Sequence, residues 1–427
     1  MYSVMMKRLL TSACSLFFLF CVFTSCRTND VYKTPKLTQF RGKSLPAPPG
    51  MTYIPSGSIL YRTSADSGAT SKSITLSAFF IDETEVTNRQ YRKFVDWVAD
   101  SIAVTNYLND EKYFRKADGE SAVRYIDWEV VNKSSPLYNS SDPSVREKLA
   151  PMFVLRGDQQ VLNSSLLKYR FTYMKAGGAD EGTYVTDTVV VMPAEGIWSK
   201  DFPNAQMTMM DGNYFYHKSF DNNPVVGVSW KQARAYADWR GKEIASSLEK
   251  NPYLKGFKYT FNLPSEAQWQ YAAEGKSSAA DSSRKKGSSR GNGKLAVNFK
   301  QGEGKYAEDG STFTLPVKAY APNAFGIYNM AGNVAEWTLD AYSPSAIEFV
   351  NDLNPVLLYD AREQDSEMSK RKVVRGGSWK DPGTMLNSYT RNYENQNTAH
   401  SYIGFRCVMS AMELPGNQVK SRRYSSR

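Results

Sequence analysis

The sequence predicts a mixed fold in which short strands and a few helices are set in much irregular chain. Three observations predict it. Ile74-Thr75-Leu76-Ser77-Ala78-Phe79 alternates apolar and polar, the pattern of a half-buried strand. Capping residues stand directly before apolar stripes of helical spacing. The C-terminal half is loop-rich with short strand signals, including Lys372 to Trp379 and Gly404 to Met409.

Taken in order, Tyr53 to Leu60 leans towards strand and is broken by Pro55 and Gly57. Thr87 is an N-cap, and Tyr91, Phe94, Val95 and Val98 fall on one helical face behind it. A second helix starts after Ser229, with Trp230, Ala233 and Ala237 on one side. A third opens at Pro264-Ser265-Glu266-Ala267-Gln268, where Ser265 and Gln268 form a capping box. Its inward face is Trp269, Ala272 and Ala273. Between the first two helices, from about 102 to 223, the texture changes. Polar turns alternate with β-rich runs such as Tyr184 to Val191, then with aromatics in Tyr214-Phe215-Tyr216-His217. This stretch reads as an insertion on a scaffold. Its aromatic run, Tyr214, Phe215 and Tyr216, suits either a contact with a partner or a seal onto the scaffold. His217 among these rings reads as a packed side chain.

The 427 residues allow one large domain or two ordinary ones, and 41% hydrophobic with 22% charged residues describes a globular chain. Two histidines leave little room for His-rich metal chemistry. Residues 1–25 read as a secretory signal: Lys7-Arg8 is a basic start and Leu9 to Phe23 is too short an apolar run to span a membrane. It ends in Thr24-Ser25-Cys26, which resembles a bacterial lipobox and implies acylation of Cys26. Residues 26–50, dotted with proline, then form a tether, and the anchor faces the periplasm from the outer membrane. Cys14 and Cys21 leave with the signal, so Cys407 is the one free thiol and no internal disulfide forms. Net charge falls from +10 to +8 with Lys7 and Arg8 removed. It is concentrated in a Ser/Gly-rich loop, 276–294, and a basic tail, 413–427, which read as solvated segments without nucleic-acid partners.

Several segments carry a family resemblance by their order. They are Ile81 to Asn88, Pro224 to Trp230, Leu263 to Ala273, Asn323 to Trp337, Val374-Arg375-Gly376-Gly377-Ser378-Trp379, and Gly404-Phe405-Arg406. Together they resemble the formylglycine-generating, or sulfatase-modifying-factor, family from about residue 51 to 412. The resemblance implies an α+β, C-type-lectin-like domain with little regular structure. Within the motifs, Asn88, Trp230, Glu266, Trp269, Gly332, Asn333, Glu336, Trp337, Arg375, Gly376, Gly377 and Arg406 read as architectural. Gly326 and Gly332 permit tight turns around Trp337, and Asn333 can bond to backbone. Arg375 and Arg406 need carboxylate partners if buried, and Glu336 is a candidate.

The family's oxidase holds copper on two cysteines, spaced Gly-Gly-Ser-aromatic-x-Cys-x4-Cys. Here Asp381 and Leu386 occupy those positions. Copper(I) requires soft sulfur ligands, so no copper and no catalytic residue are expected. Relatives carry a structural calcium whose ligands are not assignable from this sequence. Lipid signal, altered oxidase positions and insertion together resemble the GldK/PorK lipoproteins of gliding motility and type IX secretion. That resemblance implies a non-catalytic ring subunit beneath the outer membrane, self-associating and bound to a GldN/PorN-type protein, with no small-molecule substrate. A GldJ-like adaptor or a glycan-binding module is the alternative on the same scaffold, and the formylglycine-generating enzyme is placed last.

Overall fold

The computed structural model describes residues 47–63, 70–115, 124–131, 135–177, 181–248, 260–274, 297–308 and 310–410. The signal peptide, Cys26, nearly all of the tether, the basic loop 276–294 and the tail 413–427 lie outside the described residues.

Three helices position the rest. Helix α1 (Asn88–Ile102) starts where Thr87 and Gln90 close a reciprocal capping box. Helix α2 (Trp230–Leu248) has the same device: the Ser229 amide donates to Gln232 at 2.8 Å, and the Gln232 amide to Ser229 Oγ at 3.3 Å. Helix α3 (Glu266–Glu274) repeats it with Ser265 and Gln268. The apolar stripe of α1 faces inward as its spacing requires, and Tyr91 stacks on Tyr236 of α2 with ring centres 5.5 Å apart.

Strands β1 (Met51–Ile54), β2 (Gly57–Arg62), β3 (Ser71–Leu76) and β4 (Phe79–Asp82) lie where the early strand signals do. The run expected as one strand from Ile74 to Phe79 breaks at Ser77-Ala78, however, and Phe79 opens the fully buried β4. The insertion supplies two hairpins, β5 (Phe153–Arg156) with β6 (Gln159–Leu162), and β7 (Lys168–Met174) with β8 (Tyr184–Val190). Later come β9 (Phe261–Asn262), β10 (Ala335–Ala341), β11 (Arg371–Arg375), β12 (Asn392–Asn395), β13 (Ile403–Gly404) and β14 (Val408–Ser410). One sheet is antiparallel in the order β1-β4-β14-β9; the other runs β12-β11-β10-β13, with β10 and β13 parallel. The α+β class and the scarcity of regular structure agree with the sequence.

The insertion is less separate than its composition indicates. Helix α1 runs on as a π-helical segment, Ala103–Leu108, which ends at Asn109 with a positive φ of 43°. Val104, Leu149, Leu167, Phe171 and Val191 then join Tyr91, Phe94, Tyr236 and Trp239 in one core. The Tyr91 hydroxyl donates to the Val191 carbonyl at 2.9 Å.

The turn at Gly332 tests how tightly this body is packed. Gly332 has φ +75°, and a Cβ there would lie 2.3 Å from the Asn298 carbonyl oxygen. Gly326 has φ +81° with open space around it. Gly332→Ala should therefore cost about 3 kcal/mol or more, against about 1 kcal/mol for Gly326→Ala, in denaturant melts of the two variants. Equal costs would mean that the close approach to Asn298 is absent.

Candidate functional site

The Gly-Gly-Ser turn after β11 sets the geometry of the oxidase positions. Gly376 and Gly377 both have positive φ, 93° and 68°, and a Cβ on Gly377 would come within 2.8 Å of Leu386. Leu386 thus packs over the glycine backbone. Asp381 turns back on its own loop, where its Oδ2 accepts from the Ser378 amide at 2.9 Å and the Ser378 hydroxyl at 2.7 Å. Its Oδ1 pairs with Lys380 Nζ at 2.9 Å. The carboxylate acts as a turn clamp.

Two buried ion pairs hold this turn against the body. Arg406 donates to both carboxylate oxygens of Glu336, at 2.7 Å each, and to the carbonyls of Asp82 and Tyr328. Glu336 also accepts from the Trp269 indole at 2.8 Å. Arg375, which has the same need, does not use Glu336. Its partner is Glu266 at 3.0 Å, shared with Arg391, whose Nε lies 2.6 Å away. Arg375 also donates to the Ser388 carbonyl, tying down the chain just past Leu386. Trp230 and Trp337 close the arrangement by donating to the carbonyls of Thr338 and Val228.

Behind the turn, Asn333 adopts φ +62° and donates to Glu85 Oε1 at 2.8 Å, while Asn329 donates to Glu85 Oε2 at 3.0 Å. Asn88 holds the end of the insertion by donating to the carbonyls of Tyr214 and Phe220, each at 3.0 Å.

Of the aromatic run offered for an interface, Tyr214 is 3% exposed and cannot meet a partner. It packs on Trp198, which stacks on Trp379 of the turn. Phe215 is half-buried against Tyr91, and only Tyr216, 60% exposed, faces outward. The run therefore seals the insertion onto the scaffold. His217 is corrected as well: it is exposed, and its Nδ1 accepts the Ser219 amide in a tight turn. The histidine that matters structurally is His400, which the sequence reading did not single out. Its Nδ1 meets Asp201 of the insertion at 2.8 Å, and its Nε2 meets Glu394 of β12 at 3.0 Å.

The chain matches the Sulfatase-modifying factor enzyme 1-like domain over residues 38–411. The chain belongs to that family. Its relatives include a formylglycine-generating enzyme from Thermomonospora curvata, 31% identical over 56% of this chain and 72% of that protein. Another from Streptomyces coelicolor is 34% identical over 47% of this chain and 56% of that one. A Bos taurus relative named inactive C-alpha-formylglycine-generating enzyme 2 is 32% identical over 45% of this chain and 52% of its own length. These names overturn the expected ring-subunit function. Four relatives are named formylglycine-generating enzyme, the reading placed last, and none of these names carries a secretion or gliding role.

The family's copper finds no fit here, because a clamped carboxylate and a leucine stand where soft donors are needed. Cys407 cannot substitute: it is buried, its amide donates to Asp82 at 2.8 Å, and burial pushes its thiol up. The carboxylates nearest the Asn329 to Glu336 turn do not fit calcium either. Glu85 is occupied by two amide groups and Glu336 by a guanidinium. Among the described residues, no group of three or more His, Cys, Asp or Glu is placed to hold a metal ion.

Several buried groups bind protons more tightly in the fold than outside it. Burial, helped by the neighbouring Glu336, raises Glu85 to about 7 against the opposing pull of Arg406. Burial also raises Asp340 to about 7, with Glu266 adding to it, and Asp100 to about 7 beside Asp96. A raised folded value means stability that is full below the unfolded value and lost as pH climbs through the folded one. For these carboxyls that window runs from about pH 4 to 7. Burial disfavours the His400 cation, but hydrogen bonds to Asp201 and Glu394 outweigh it and raise His400 to about 9, so its loss falls higher, between pH 6.5 and 9. Lys372 acts in the opposite sense there, since burial lowers it to about 7 and stability is regained as pH rises towards its unfolded value.

The melting temperature should accordingly fall by several degrees from pH 5 to 7 and change little from 7 to 9. Asp100→Asn keeps the acceptor for the Leu137 amide and should flatten the lower slope; an unchanged slope would remove Asp100 from the account. Arg406→Met should cost about 3–5 kcal/mol in chemical denaturation, because Glu336 would remain buried without its cation.

Proposed function

We propose that this chain is a member of its family that does not oxidise a peptide cysteine, and that its scaffold serves binding. The observation that carries the reading is Asp381, whose carboxylate is committed to Ser378 and Lys380 where the oxidase pattern has a thiol. Leu386 at the second position and a buried, unreactive Cys407 support it. The relative named inactive is a further support, since the same scaffold occurs under that name. The test is incubation of the full chain with copper(I), oxygen and a Cys-x-Pro-x-Arg peptide. Mass spectrometry should find only unmodified peptide, and an aldehyde product would overturn the proposal.

We also propose that the chain is exported and acylated at Cys26, placing it on the periplasmic side of the outer membrane. The support is the order of the basic start, the apolar run and Thr24-Ser25-Cys26. Cys26→Ala should abolish partitioning into detergent and the mass added by lipid. A variant that still partitions and still carries lipid would place the anchor elsewhere.

A further inference from the structure

The β7–β8 hairpin leaves one edge of β8 open, and that edge lies along a cleft. Val191 donates its amide to the Leu167 carbonyl, and Lys175 donates its amide to the Thr183 carbonyl at the other end of the hairpin. Odd-numbered residues of β8 therefore bond to β7. Tyr184, Thr186, Thr188 and Val190 direct their N–H and C=O groups away from it. The cleft, with a volume of about 530 Å³, is walled on one side by Asp187 to Val190 and on the other by Ser229, Lys231 and Gln232 at the start of α2. That size falls among ligand-holding clefts.

Side chains already occupy part of the edge as a neighbouring strand would. Gln232 Nε2 donates to the carbonyls of Val190, at 2.8 Å, and Met192, at 2.7 Å. Asp187 accepts from the Thr188 amide at 2.8 Å. The amides of Thr186 and Val190 and the carbonyls of Thr186 and Thr188 have no protein partner among the described residues. From Thr186 to Val190 the open edge runs about 13 Å, at roughly 3.3 Å per residue.

We propose that an extended peptide segment of another protein adds to this edge as a third strand. The charges of the cleft say what kind of segment fits. Lys200 and Glu363 both lie on its walls, and neither has an ion-pair partner among the described residues. An incoming strand bearing one acidic and one basic side chain answers both. A second copy of β8 does not, because Asp187 is its one charged residue and it brings no basic side chain to meet Glu363. The cleft exists only where the insertion meets the scaffold, since β8 and Lys200 come from one and α2 from the other. It shares no residue with the turn at Asp381, so the inference goes beyond the oxidase question.

The test uses the full chain and a displayed library of random nonapeptides. Selected peptides should carry both charge signs, and on binding should slow hydrogen exchange at the Thr186 and Val190 amides. Val190→Pro deletes one outward donor and no bond to β7, a substitution that an edge strand accepts. It should weaken the selected peptides at least tenfold while the Val189 and Val191 amides stay protected. Thr186→Pro serves in the same way if Val190→Pro disturbs the hairpin. Lys200→Glu should remove the acidic residue from the selected consensus. No enrichment, binding that survives both proline variants, or a β8-dependent dimer in light scattering would each overturn the proposal.

Discussion

Burying a guanidinium inside a protein is tolerable only when acceptors meet it there, and Arg406 imposes that condition on this fold. Its acceptors come from β10, from the end of β4 and from the Tyr328 loop, segments far apart in sequence. A buried pair of this kind adds little net stability over an apolar substitute, yet a missing partner is severe. The pair therefore selects an arrangement more than it strengthens one. Trp269 extends the constraint to the second pair, since its indole bonds Glu336 while its ring lies 5.4 Å from the Arg375 guanidinium carbon. Helix α3, β10, β11 and the chain before β14 are located by these contacts in a body poor in long ladders.

The same arrangement explains how chemistry and fold separate in this family. None of the groups that fix the turn after β11 is a thiol. Arg375 tethers the far side at Ser388, the two glycines supply the left-handed backbone, and Asp381 closes the near side through Ser378. Of these restraints only the Asp381 clamp sits at an oxidase position; the glycine backbone and the Arg375 tether depend on neither Asp381 nor Leu386. A scaffold held this way can lose a copper site without losing its shape, which is why similarity over the whole domain says little about the reaction.

What the sequence disclosed follows the range of each interaction. Helix starts were legible because a capping box needs only residues three apart, and Thr87, Ser229 and Ser265 all form one. Arg406 with Glu336 was half-legible through motif chemistry. The partner of Arg375 was not, because Glu266 lies 109 residues away and two acceptable carboxylates compete for the role. The Tyr214 run misled because neighbours in sequence were read as neighbours in space. In a short helical turn they diverge, so Tyr214 enters the core, Tyr216 leaves it, and His217 leaves with it. His400 stands among Ala399 and Ser401, a context that carries no signal until Asp201 is brought to it from across the chain. The secretion role had no physical warrant in any of these contacts, only a resemblance, and it fell to the relatives' names.

The insertion shows where new surface can arise on such a body. Most of it is consumed by attachment: Val191 receives the Tyr91 hydroxyl, Asp221 pairs with Arg89 and Arg92, and Asp201 is held by His400 and Ser401. Its inward rings complete the core around Tyr91 and Phe94, so removing it would expose scaffold residues that are otherwise fully covered. Loss of function in a shortened chain would then report unfolding as readily as a lost contact. Only groups that attachment leaves unused can serve another molecule. A hairpin packed by one face and one edge keeps its second edge free, and backbone donors and acceptors there are specific in direction while indifferent to sequence. Side chains around that edge must then supply the selectivity, which is the role left to unpaired charges once the rest of the insertion has been absorbed into the fold.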